Sequence, residues 1–184
     1  MSNEFVSTAL TGSGLVVGVA ILAAQHYRWW KTAGAGGGPA SGGSRDPKAL
    51  IPLWFGVGFG TLMVACPAGL LGTASGFIRW GGNSLGDFVM STMTGQRSNI
   101  VASAATPSLD GNGALVVTAL VITLFLLRKA FAKVAKSGFK TGVAAGTLLA
   151  IGTGVFAVIG NAVVPAVNSI GAQLIGSAVH GTLL

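Results

Sequence analysis

The sequence predicts an all-α integral membrane protein with four transmembrane helices and a C-terminal amphipathic helix, and three observations predict it. From Thr141 to Leu184 there is no Asp, Glu, Lys or Arg, whereas Arg128–Lys140 just before it carries five of the eleven basic residues. Hydrophobic residues make up 51% of the chain and charged residues 8%, with a mean hydropathy of +0.73; a soluble domain is roughly 25% charged and could not cover its surface with so few. The basic residues also collect in alternate connections between apolar stretches, which is how membrane orientation is written into sequence.

The 184 residues read as a single membrane domain. The first span covers about residues 5–26 and ends in Tyr27, Arg28, Trp29, Trp30 and Lys31, an aromatic and basic cluster suited to the headgroup region. The second, about 50–78, has Trp54 near one end and Arg79-Trp80 at the other. At 1.5 Å per residue it exceeds the roughly 30 Å hydrocarbon core, so it must tilt, kink or protrude, and Pro67 is the expected kink. The third, about 111–128, is the shortest; its helix is expected to continue into water through Lys136 and stop at Ser137-Gly138. The fourth, about 142–164, is expected to end or bend at Pro165. In the tail, 166–182, Val167, Ile170, Gly171, Leu174, Ile175 and Ala178 recur at helical spacing opposite Asn168, Ser169, Gln173 and Ser177, the pattern of an amphipathic helix on a membrane surface or in a groove between protomers.

Orientation follows from counting. Arg28, Lys31, Arg45 and Lys48 follow the first span, the five residues Arg128 to Lys140 follow the third, and only Arg79 and Arg97 fall between the second and third. This places both basic connections in the cytoplasm and both termini outside a cytoplasmic (inner) membrane. Met1–Glu4 lacks the positive region of a cleavable signal, so the first helix is expected to stay as an N-out anchor. Ala102-Ser103-Ala104 matches a small-residue cleavage pattern, but the apolar region lies far upstream of it.

The connections are not domains. Residues 32–48 form a cytoplasmic loop whose Gly-, Ala-, Ser- and Pro-rich part describes a flexible tether; no Gly-Lys-Ser/Thr follows it, so it is not a phosphate loop. Residues 80–110 read as an extracytoplasmic loop with a short interfacial helix around Leu85–Met90. Cys66, the one cysteine, excludes an internal disulfide and reads as a small buried hydrophobe.

Gly14 and Gly18, Gly56 and Gly60, Gly72 and Gly76, and Gly142 and Gly146 are each four apart, so each pair lies on one helix face and admits another backbone. They pack the protomer together, and a surplus of such faces favours a homo-oligomer. Lys129, Lys133, Lys136 and Lys140, beside Arg128, fall at spacings of 4, 3 and 4 and would form one stripe on a helix. Two uses stay open for that stripe: a topology signal attracting anionic headgroups, worth about 1 kcal/mol per charge, or a sequence-blind, salt-sensitive contact with a nucleic-acid backbone. No aromatic residues alternate with the lysines to stack bases.

Catalysis finds little to work with. The acids Glu4, Asp46, Asp87 and Asp110 read as tail or loop residues, His26 and His180 lie far apart, and no grouping has metal-ligand spacing, so no catalytic residue, metal or cofactor is expected. His26 beside Tyr27 reads as an interfacial residue. No ionisable residue is expected inside a span, which argues against an ion-coupled transporter.

The second half, with apolar Ala114–Leu127, the basic turn Arg128–Lys140 and apolar Val143–Val164, resembles the helix-loop-helix of type IV secretion pilins. The whole chain, small, rich in Gly, Ala and Val and crossing four times, resembles the membrane spread proteins of actinobacterial conjugative elements and multi-span phage holins. The resemblance implies assembly in a membrane from many small copies. The expected function is a non-enzymatic, self-associating membrane component of a DNA or protein transfer or secretion apparatus, partnered by lipid and by other membrane subunits. The alternatives are a holin-like pore former or a structural membrane subunit of a larger complex or virion.

Overall fold

Proline, glycine and short polar side chains set the helix boundaries of this chain, and several fall where apolar patterning alone does not put them. The computed structural model describes residues 9–35, 47–66, 69–103, 108–126, 138–151 and 157–180. Among them are six α-helices: α1 Gly12–Ala35, α2 Ile51–Ala65, α3 Gly69–Thr94, α4 Gly111–Leu126, α5 Phe139–Leu149 and α6 Ala157–His180. A short 3-10 turn, Pro47–Leu50, leads into α2. The all-α class holds. The addition to it is a two-stranded ribbon, in which β1 (Ala9–Thr11) pairs antiparallel with β2 (Ile100–Ser103). Ala102 and Ser103 of the cleavage-like tripeptide thus lie on a paired strand; Ala104 lies outside the described residues.

The expected second span, 50–78, is two helices. Pro67 lies outside the described residues, but Cys66 before it is extended at φ −76°, ψ 114°, the conformation a following proline imposes. Gly69 then opens α3 at φ +87°, a value that favours glycine. The first half of the expected 80–110 loop is also helix, because α3 runs on to Thr94 before Gly95 turns the chain at φ +69°. The first helix begins at Gly12 and extends beyond the aromatic cluster to Ala35.

The expected fourth span, 142–164, is likewise divided, but not at Pro165. Helix α5 stops at Leu149 and α6 runs unbroken through Pro165 to His180, so the expected tail 166–182 is the second half of a longer helix. Its packed face is Ala157, Gly160, Val164, Val167, Asn168 and Gly171, while Ile170 and Leu174 are exposed. Asn168 therefore lies on the contact face rather than opposite it, because two backbone groups described below need its amide.

Two helical segments, Pro47–Ala65 and Ala157–Val179, are long and apolar enough to cross a membrane, with mean hydropathies of 1.5 and 1.4; Gly111–Leu126 is apolar but shorter. Gly56 lies against Gly142 and Gly60 against Gly146, so α2 and α5 run parallel. Helix α1 runs against them, with Gly18 beside Leu148 at one end and His26 beside Trp54 at the other. Helix α4 runs against α6, with Gly113 beside Asn168, and Val117 and Val164 sharing a cluster.

Three apolar clusters fill the joints. Leu62, Ala65, Leu109, Val117 and Val164 join α2, α4 and α6. Leu10, Leu148 and Ile151 pack with Ile21 of α1 and Ile78 of α3. Val57, Ala145 and Leu149 bring α2 and α5 to α1 and α6 through Leu22 and Ile159. One end of the bundle gathers the end of α1, the 3-10 turn and the start of α5, and with them Arg28, Lys31, Lys48 and Lys140. The other end carries the ribbon, Asp87 and Asp110.

Candidate functional site

Helix α3 is inside out. Its buried positions, Ser75, Gly76, Arg79, Gly82 and Gly86, are small or polar, with Asn83, Asp87 and the apolar Leu71 and Ile78 half-buried beside them, while Leu70, Phe77, Trp80, Leu85 and Phe88 are exposed together with Thr73 and Ser84. Leu70 is 90% exposed and Phe88 68%, whereas Arg79 is 2% exposed. In water that arrangement would be reversed.

Arg79, Asn83 and Asp87 stand four residues apart, so they form one column on the helix; Arg79 and Asn83 meet backbone groups of other elements and Asp87 meets a hydroxyl at a helix start. The Arg79 guanidinium donates from Nε to the Thr147 carbonyl at 3.1 Å and from Nη2 to the Ala150 carbonyl, where α5 ends. Asn83 bridges to β1: Oδ1 accepts from the Thr11 amide and hydroxyl, both at 3.1 Å, and Nδ2 donates to Ala9 O at 3.0 Å. Asp87 Oδ1 accepts from the Ser13 hydroxyl at 2.5 Å, beside the start of α1. The cation therefore sits at the negative end of one helix dipole and the anion at the positive end of another. The first amides of α1 are met as well: Gly12 N donates to Asn99 O at 3.0 Å, Ser13 N to Ser98 Oγ at 2.8 Å and Gly14 N to Thr11 Oγ1 at 3.2 Å. Gly86 lets α3 reach this close, since a Cβ there would strike the Ser13 backbone.

Sequence patterning misses this ladder. It places Asn83 and Asp87 in a loop and Arg79 at a span end, and expects no ionisable residue among the helices. Arg79 is buried among them instead, because the broken end of α5 supplies carbonyls to receive it. The recoverable signal is the Arg-x3-Asn-x3-Asp spacing with Gly82 and Gly86 set into it.

The glycine pairs divide. Gly56 and Gly60 interlock with Gly142 and Gly146: a Cβ on any of the four would overlap a backbone carbonyl across the α2–α5 contact. Gly14 meets Asn83 and Gly18 meets Leu148 and Leu149. Gly76 is buried on α3 and Gly72 half-buried. Of the polybasic group, Arg128, Lys129, Lys133 and Lys136 lie outside the described residues; Lys140 is exposed in the first turn of α5, beyond the turn at Gly138. The stripe as a whole therefore falls outside the described residues. Among the aromatic anchors, Tyr27, Trp30, Trp54 and Trp80 are exposed and Trp29 is half-buried. His26 stacks edge-on to Trp54 at 5.7 Å, and its Nδ1 lies 2.8 Å from Leu22 O, with no acid in these contacts.

An apolar groove of about 560 Å³ runs between the start of α3 and α4, walled by Cys66, Leu70, Leu71, Val117 and Val121. Its acid, Asp110, is occupied as the N-cap of α4, accepting from Gly113 N at 2.7 Å. Asn168 closes the same corner by accepting from Asp110 N at 3.3 Å and donating to Ser108 O at 3.4 Å. Among the described residues, no three His, Cys, Asp or Glu side chains converge as metal ligands. No family model, no curated protein and no solved structure matches the chain.

Proposed function

We propose that this chain is a non-enzymatic integral membrane protein that crosses a cytoplasmic membrane four times, through α1, α2 with the first part of α3, α4 and the α5–α6 pair. Both basic connections lie in the cytoplasm and both termini outside. It self-associates as a membrane component of a DNA or protein transfer apparatus, as its resemblance to conjugative spread proteins and secretion pilins implies. The observation that carries the membrane assignment is the inversion of α3, with bulky apolar side chains outward and Arg79, Asn83 and Asp87 inward. Lipid is the solvent that rewards it. The grouping of Arg28, Lys31, Lys48 and Lys140 at one end supports a common side for the two basic connections.

Self-association is supported by the outer face of α6. Asn161, Ser169 and Gln173 are exposed there among Ala162, Ala166 and Ala172. Small residues with scattered amides are the composition by which helices associate in lipid. The same polar side chains favour one second reading, a holin-like pore former in which that face lines water. The lysines of the 128–140 connection are assigned to anionic headgroups, with sequence-blind nucleic-acid contact as a further role in the transfer reading.

Expression of the chain alone tests these readings. A transfer component fractionates with membranes, resists carbonate extraction and leaves cells viable. A pore former arrests growth and collapses the membrane potential. Recovery in the soluble fraction without detergent would falsify the membrane assignment itself.

A further inference from the structure

We propose that the carboxyl end of α5 is a monovalent-cation site whose built-in occupant is the guanidinium of Arg79. The last carbonyls of any helix lack intrahelical partners and carry about half a unit of negative charge between them. Here that end cannot turn to water, because Thr147, Leu148, Leu149, Ala150 and Ile151 are all buried. Ala150 leaves the helix at ψ 79°, and Ile151 N folds back onto Leu149 O at 2.8 Å. That turn keeps the Ala150 carbonyl available, and it converges with Thr147 O on the guanidinium. Carbonyl oxygens gathered at the broken end of a helix, within a low-dielectric surround, are the donor set that holds cations in interrupted helices.

The occupant is delivered from elsewhere in the chain. Arg79 belongs to α3, which is tied through Asn83 and Asp87 to β1 and α1 and packs Ile78 and Gly82 against Leu148 of α5. The site is therefore filled only while α3 is docked, and an undocked α3 leaves a carbonyl nest open to a free cation. A planar guanidinium is the preferred ligand, because Nε and Nη2 of one plane reach the two carbonyls together.

The test is chemical rescue of the purified full-length protein in detergent. Arg79→Ala is expected to melt below the wild type, and millimolar guanidinium chloride, far below denaturing levels, should raise its melting temperature saturably by about 3 °C or more. Equal tetramethylammonium chloride, too large for the site, should do nothing. The wild type, with the site filled, and Asp87→Asn, destabilised but with Arg79 in place, should not respond. If sodium or potassium chloride rescues Arg79→Ala as well as guanidinium does, the site takes small monovalent cations in general and the proposal stands. If no cation outperforms tetramethylammonium, or if the wild type and Asp87→Asn respond equally, the proposal is wrong. Should Arg79→Ala fail to fold alone, the folded fraction on refolding with and without guanidinium, read by circular dichroism and gel filtration, decides in the same way.

Discussion

The Ser13 hydroxyl donates to the Asp87 carboxylate at 2.5 Å across 74 residues of sequence, fixing the start of α1 to α3 beneath the β-ribbon. A charge-assisted bond with one partner 6% exposed contributes more than an ordinary surface contact. Ser13→Ala and Asp87→Asn should each destabilise the folded state by about 1–3 kcal/mol. The pair should be non-additive, with a coupling of about 1 kcal/mol in a double-mutant cycle measured by denaturant titration in detergent. Additive losses would mean the bond is not formed.

Glycines of the α2–α5 pair should differ sharply. Gly56→Leu and Gly142→Leu must drive α2 and α5 apart, at a cost of about 2 kcal/mol or more. Gly58, close to that contact in sequence but with open space where a Cβ would stand, should accept Ala and gain up to about 1 kcal/mol of helix propensity. Melting temperatures of the three variants under one set of conditions provide the comparison.

The corner between α4 and α6 rests on two side chains. Asp110→Ala removes an N-cap bond of 2.7 Å and should cost about 0.5–2 kcal/mol. Asn168→Leu removes both bonds to the 108–110 segment, and hydrogen exchange should then quicken at Asp110 N while amides in the α2–α5 contact stay protected.

Sidedness can be read directly. In a Cys66→Ser background, cysteines replacing Lys48 and Lys140 should react with a membrane-impermeant maleimide from the same side, and a cysteine replacing Ser98 from the other. Labelling of positions 48 and 140 from opposite sides removes the four-span arrangement.

Composition and glycine spacing make a good part of this molecule legible. The Gly56/Gly60 and Gly142/Gly146 faces are recognisable from their spacing alone, since two glycines four apart leave a groove on any helix; that they fill one another is not. Helix ends are less legible. Hydropathy sees one apolar stretch across Cys66 and another across Leu149, because a break costs nothing in side-chain polarity. The converse holds at Pro165, where a lost amide hydrogen bond predicts a helix end although α6 continues through it. The polar ladder is hidden for a related reason: Asn and Asp among mixed residues look like loop, and only the helical register of α3 brings Asn83 and Asp87 into line with Arg79.

The parallel seating of α5 against α2 also bears on synthesis. The half of the seam carrying Gly142 and Gly146 leaves the ribosome after every other helix except α6, so the nascent chain passes several seconds, at roughly 5–20 residues per second, with the Gly56–Gly60 furrow vacant. During that interval the furrow is open to any small-faced helix nearby, including α5 of a finished neighbour. Closure in cis thus competes with exchange between copies, and crowded co-translational insertion should yield entwined dimers that dilute expression does not.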